Sequence, residues 1–184
     1  MKGHCVPTTL GFRPLEGQRK WFWVAAAVTA GLDQMSKHFL ARPVDGIQHL
    51  VDILPFLRLV RRPLNMQGVF SLGPHTALFY VIATAAGLLL IAYLFLSARP
   101  DYLRSLIALG LLCGGALGNL IDRLALGGVR DFIDLHLMDR HWPTFNLADT
   151  AICVGIGLLV LEAFHPAEER AQQGSTEKAA AGRP

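Results

Sequence analysis

Four stretches of this chain are apolar over lengths close to the thickness of a bilayer, and segments of quite different character separate them. The first runs from Trp21 to Leu40, directly after Arg19 and Lys20. Its opening has the look of a secretory signal, with Val28, Thr29 and Ala30 as a cleavage site, but apolarity resumes after Asp33 and three more runs follow, which favours an uncleaved first helix. The second, from about Thr76 to Leu96, carries no charge and is the clearest transmembrane signal. The third, from about Leu103 to Ile121, places Gly110, Gly114 and Gly118 at intervals of four, hence on one helix face that lets a neighbouring helix approach closely. The fourth runs from about Phe145 to Phe164 and is ended by Pro166.

Between the first two runs, Ala41 to Pro74 breaks into short β-rich pieces with turn formers: Ile47 to Leu54, then Pro55, then Phe56 to Val60. This predicts a small extramembrane β element. Arg99 to Arg104 is a tight connection, and Asp122 to Thr144 is polar and rich in Asp, Arg and His. The expected fold is therefore an all-α integral membrane protein of four transmembrane helices with a β element between the first and second. Residues 1–20 form a cytoplasmic tail, 21–164 the membrane domain with outer loops 41–75 and 123–144, and 165–184 a disordered cytoplasmic tail.

Composition agrees with that pattern. Of 184 residues 52% are hydrophobic and 17% charged, against about 25% charged in soluble domains. The net charge of +3 comes from scattered Lys and Arg with no basic run interleaved with aromatics, which excludes nucleic acid as a partner. With four spans the termini share one side. Arg19, Lys20, Arg99 and Arg104 favour that side as cytoplasmic, opposed by Arg58, Arg61, Arg62, Arg123, Arg130 and Arg140 across the membrane. Cys5, Cys113 and Cys153 have neither metal nor redox spacing, and packing is their expected role.

Charged residues inside such runs cost a few kcal/mol each, so every one asks for a reason. Asp33 and Lys37, four apart on one helix face, can neutralise one another, with the lysine snorkelling to the surface. Asn119, Asp122 and Arg123 form a polar face at the end of the glycine-bearing run, suited either to capping and salt bridging or to a buried hydrogen-bonding site. Asp131 stands among Val129, Phe132 and Ile133 just outside the membrane, and Asp149 stands at the start of the last run, where the helix dipole alone would favour it. Two carboxylates brought within about 3 Å cannot both ionise. One then draws a proton from water while its protonated partner polarises a peptide carbonyl, the chemistry of aspartic proteolysis, which needs no metal or other cofactor. Spacing does not decide whether Asp122 or Asp131 partners Asp149.

Asp33-Gln34-Met35-Ser36-Lys37, the segment Gly115 to Arg123, Val129-Arg130-Asp131-Phe132 and Phe145-Asn146-Leu147-Ala148-Asp149 together resemble the lipoprotein signal peptidases, also called signal peptidase II, over about Trp21 to Phe164. The resemblance implies a monomeric aspartic protease of the bacterial inner membrane, active near its outer face. It would remove the signal peptide from prolipoproteins once a diacylglyceryl group is attached to the cysteine after the cut. It assigns Asp131 and Asp149 as the catalytic pair, and Asp33, Lys37, Asn65, Asn119, Asp122, Arg123 and Asn146 as substrate-binding or supporting residues, with Asp122 acting through Asn119 and Arg123. Prolipoproteins and membrane lipids are its implied partners. One departure lies in the first outer loop, where the family pattern Asn-x-Gly-x-x-Phe meets Asn65-Met66-Gln67-Gly68-Val69-Phe70, with Gln67 at the glycine position.

Two other classes fit less well. A small transporter or channel subunit would use Asp33, Lys37, Asp122 and Asp149 as an ion path, but the halves of the chain show no internal repeat. A metalloprotease would need His136, Asp139 and His141, which lie in a loop without a His-Glu-x-x-His helix.

Overall fold

The computed structural model describes residues 16–66, 77–97 and 103–164. The tails, the connection from Arg99 to Asp101 and the loop motif from Gln67 to Phe70 lie outside the described residues. The described residues contain four helices: α1 (Glu16–Leu40), α2 (Ala77–Ser97), α3 (Leu103–Leu126) and α4 (Leu147–Phe164). The helices at Leu78–Ser97, Leu103–Leu126 and Leu147–Phe164 are long and apolar enough to cross a membrane. The expectation of four spans is thus met by three on length and composition. The 25-residue α1 is long enough, but Asp33, Gln34 and Lys37 lower its hydropathy. It also begins at Glu16, inside the expected tail.

Helix α3 is the hub, packed by α1, α2 and α4. The glycine face works as its spacing predicts. A Cβ at Gly110 would sit 2.5 Å from the Phe22 carbonyl oxygen, one at Gly114 2.5 Å from that of Ala26, and one at Gly118 would overlap the Asp33 carboxylate. On the adjoining face Gly115 meets the Ala148 carbonyl oxygen of α4 at 2.6 Å by the same construction. These positions let α1 and α4 approach α3 at backbone distance, which packs polar groups between them. At the opposite end Phe22, Phe95, Leu106 and Leu109 form the apolar core, with Cys113 packed against it.

The β element is larger than expected. Strands β1 (Gln48–Leu54) and β2 (Leu57–Arg61) form the anticipated hairpin about Pro55 and Phe56. Strands β3 (Ile133–Leu137) and β4 (Arg140–His141) come from the second outer segment and complete an antiparallel sheet in the order β1-β2-β3-β4. Residues 123–144 are therefore not simply a polar loop. Helix α3 runs to Leu126, so Asp122 and Arg123 are helical, and Gly127, at φ 78°, ends the helix while its N–H returns to the Arg123 carbonyl at 3.1 Å.

Candidate active site

Helix α4 begins with a reciprocal cap. The Asn146 carbonyl accepts from the Thr150 N–H at 3.2 Å, Asn146 Oδ1 accepts from the Asp149 N–H at 3.0 Å, and Asp149 Oδ2 accepts from the Asn146 N–H at 3.2 Å. This is the geometry of a capping box, with Asn and Asp replacing the usual Ser or Thr and Glu. Asp149 is thus held by the cap through one oxygen, while Asn119 Nδ2 donates to the other, Oδ1, at 2.8 Å.

Asp131 arrives from the segment between α3 and β3. That segment is anchored by Phe132 N–H donating to the Phe145 carbonyl at 3.1 Å and by Val60 N–H donating to that of Phe132 at 2.9 Å. Each carboxylate oxygen of Asp131 accepts one amide: Asn65 Nδ2 reaches Oδ2 and Asn146 Nδ2 reaches Oδ1, both at 2.8 Å. Asn65 is placed by a two-way backbone bridge with Val129, at 2.8 and 2.9 Å. That approach requires Gly128, where a Cβ would stand 3.0 Å from Leu64 Cβ and 3.2 Å from the Asn65 carbonyl oxygen.

Asn146 therefore holds both carboxylates, its side-chain amide on Asp131 and its backbone amide on Asp149. Burial, and after it the negative charge of Asp149, push the Asp131 carboxyl up to about 6, against the opposing pull of the Asn65 and Asn146 hydrogen bonds and the Arg62 charge. Both aspartates face a cavity of about 420 Å³ together with Arg62, Asn65, Asn119 and Arg123. Cys153, one turn beyond Asp149, also lines it.

A second set of charges lies behind the pair. Lys37 and Asp33 are fully buried and 2.8 Å apart, so the lysine does not snorkel outward. Asp33 Oδ1 also accepts the Ala148 N–H of α4's first turn at 2.9 Å. Asp122 is also fully buried, and Arg123 acts on it through the attraction of opposite charges rather than a direct ion pair. The Asp122 carboxylate is gripped by Arg130, with Nη2 at 2.7 Å and the backbone N–H at 2.9 Å, by Gln34 Nε2 at 3.1 Å, and by Lys37 at 3.4 Å. Two carboxylates and two cations thus balance in a place where an uncompensated charge would cost several kcal/mol. Arg123 instead lies over the Tyr80 ring, 5.4 Å from its centre, and faces the cavity.

The residues singled out in the sequence fall into these two connected groups. Sequence reasoning assigned no role to Gln34 and Arg130, although charge counting could have found Arg130: Asp33 and Asp122 together need a second cation beside Lys37. Arg62, which donates to Thr144 Oγ1 at the rim, carried no signal of this kind. His141 and Arg58 pair with Asp134 on the sheet, at 3.1 and 2.6 Å, and His136 stacks on His141. No group of three or more His, Cys, Asp or Glu side chains able to hold a metal ion occurs among the described residues.

A helical, multi-pass membrane protein with one buried and one partly buried aspartate on an open cavity is the class this fold and site define. Comparison narrows the class. The signal peptidase (SPase) II family model matches residues 25–165. A lipoprotein signal peptidase of Coxiella burnetii (strain Dugway 5J108-111) is 42% identical over 146 residues, 77% of this chain and 87% of that one. Another, from Syntrophotalea carbinolica, is 36% identical over 74% of this chain and 86% of its own length. A solved bacterial membrane enzyme shares the fold with a TM-score of 0.67 at 28% identity, over 79% of this chain and 94% of that one. The chain belongs to the signal peptidase II family, and it is accordingly a membrane peptidase.

Proposed function

We propose that this protein is an aspartic endopeptidase that removes the signal peptide from diacylglyceryl-modified prolipoproteins, cutting just before the lipidated cysteine. The observation that carries the reading is the bridging of Asp131 and Asp149 by the single residue Asn146 at the wall of one cavity. With the Asp131 carboxyl at about 6, this group keeps its proton to a higher pH than an ordinary carboxylate, and a substrate that covers the cavity and removes its solvent raises that value further. The ionised carboxylate takes a proton from water as the oxygen attacks the scissile carbonyl, and the protonated one donates to the developing oxyanion. The roles then reverse so that the leaving amine receives its proton. Asn65, Asn119 and Asn146 hold the carboxylates at fixed separation, while Arg62 and Arg123 keep positive charge at the rim.

The same reading makes α1 the fourth span. Its 25 residues extend about 37 Å. Asp33 and Lys37 point inward and are fully buried, whereas Trp23, Val24, Val28, Leu32, Met35 and Phe39 face outward. A bilayer meets that apolar surface, with the exposed polar side chains Lys20 and His38 near its two ends. Both termini are then cytoplasmic, and the sheet and the carboxylates lie at the outer face of the inner membrane. The transporter reading is not favoured, since the polar groups lie in a closed network at one end of the bundle rather than along a path.

The experiment is cleavage by purified protein of a precursor with and without its diacylglyceryl group, before and after exhaustive chelation. The expected product is a chain beginning at the lipidated cysteine, formed from the modified precursor alone and at the same rate after chelation. Equal cleavage of the unmodified precursor, or loss of activity restored by metal, would overturn the reading.

A further inference from the structure

We propose that Lys37 is a positioning residue that sets the orientation of Asn119 and Asn146, two of the three carboxamides holding the catalytic pair, beyond its part in charge balance. The inference rests on the aspartic reading above. A carboxamide has one accepting and one donating end, and a wrong flip of Asn119 would aim an oxygen at Asp149. The Lys37 ammonium, which can only donate, stands 2.9 Å from Asn119 and so claims its Oδ1. Nδ2 is thereby left to donate to Asp149 Oδ1 at 2.8 Å. The effect propagates. Asn119 Oδ1 also accepts from Asn146 Nδ2 at 3.2 Å, and that amide in turn reaches Asp131 Oδ1 at 2.8 Å while Asn146 Oδ1 caps the Asp149 N–H. One buried cation on α1 thus fixes a donor on each carboxylate, although it touches neither.

Lys37 is itself held by Asp33 at 2.8 Å and Asp122 at 3.4 Å, with no exposed surface through which it could reorient. A fully buried ammonium must give each of its three N–H groups an acceptor, and here the third falls on Asn119 Oδ1, which decides the end of that carboxamide that faces Asp149.

The test separates orientation from charge. Lys37→Met leaves an unbalanced buried carboxylate, whereas Lys37→Met combined with Asp33→Asn restores the balance and keeps an acceptor for the Ala148 N–H. In the double variant kcat for the diacylated precursor should remain about a hundredfold below the parent, with KM little changed and the acidic limb of the kcat profile moved to higher pH. Recovery of the parent kcat would overturn the proposal and leave Lys37 a compensating charge. If the double variant does not fold, Lys37→Gln and Lys37→Met, equal in charge and differing in a donor, make the same comparison; equal kcat in the two overturns it. Asp149→Asn serves as the reference. Should it cleave normally, the aspartic reading fails, whereas a dead reference beside an active double variant removes only the role given to Lys37.

Discussion

Asp131 is the residue whose environment says most about mechanism. Its carboxyl, raised from 3.8 to about 6 first by burial and then by Asp149, binds in the folded protein a proton that the unfolded chain has already released. Stability from this group is therefore full below about pH 4 and declines as pH rises toward 6, by about 3 kcal/mol. Asp149→Asn removes the second cause and leaves burial, so the decline in thermal stability between pH 4 and 7 should become shallower. Unfolding curves across that range read it directly, and an unchanged slope would mean that Asp149 does not act on Asp131. The sequence could show that Asp131 and Asp149 were carboxylates in costly places, but no spacing rule joins a loop residue to a helix cap 18 positions away. That pairing depends on Asn146 and on the bridge between Asn65 and Val129, which arise only once the sheet forms.

The elements were legible where one physical signal dominates. Helices α2 and α4 lie within one or two residues of the apolar runs, because desolvation over some twenty residues leaves few alternatives. The β1–β2 hairpin was legible from its turn at Pro55. Helix α3 was read short because Asp122 and Arg123 looked like an exit from the membrane. Internal pairing of Asp122 with Arg130, Gln34 and Lys37 removes the reason to exit. Strands β3 and β4 were missed because β4 has two residues and β3 is defined by pairing with β2, more than seventy residues earlier in the chain. The glycine face gives a prediction at this scale. Gly114→Ala places a Cβ against the Ala26 carbonyl oxygen and Thr29, forcing α1 from α3 at a cost of about 1–3 kcal/mol, whereas Gly87→Ala on α2 enters open space. Thermal unfolding should drop for the first and hold for the second. Equal behaviour would mean that the close approach of α1 and α3 contributes nothing.

At the scale of the whole molecule, α1 and α4 are drawn onto α3 so that charges from both converge at one end, beneath a sheet built from two distant segments. With α1 spanning, reporter fusions should place residue 99 on the cytoplasmic side and His141 outside; an external residue 99 would invert the site. The central claim is that two carboxylates divide one proton and neither can replace the other. Asp131→Asn and Asp149→Asn keep the shape of the side chain and remove that capacity. Single-turnover cleavage of a diacylglyceryl-modified precursor by each purified variant, beside unfolding curves that establish an intact fold, is the measurement. Both variants should bind the precursor and lose cleavage, whereas more than about a tenth of the parent rate in either, a barrier change below about 1.4 kcal/mol, would contradict the account.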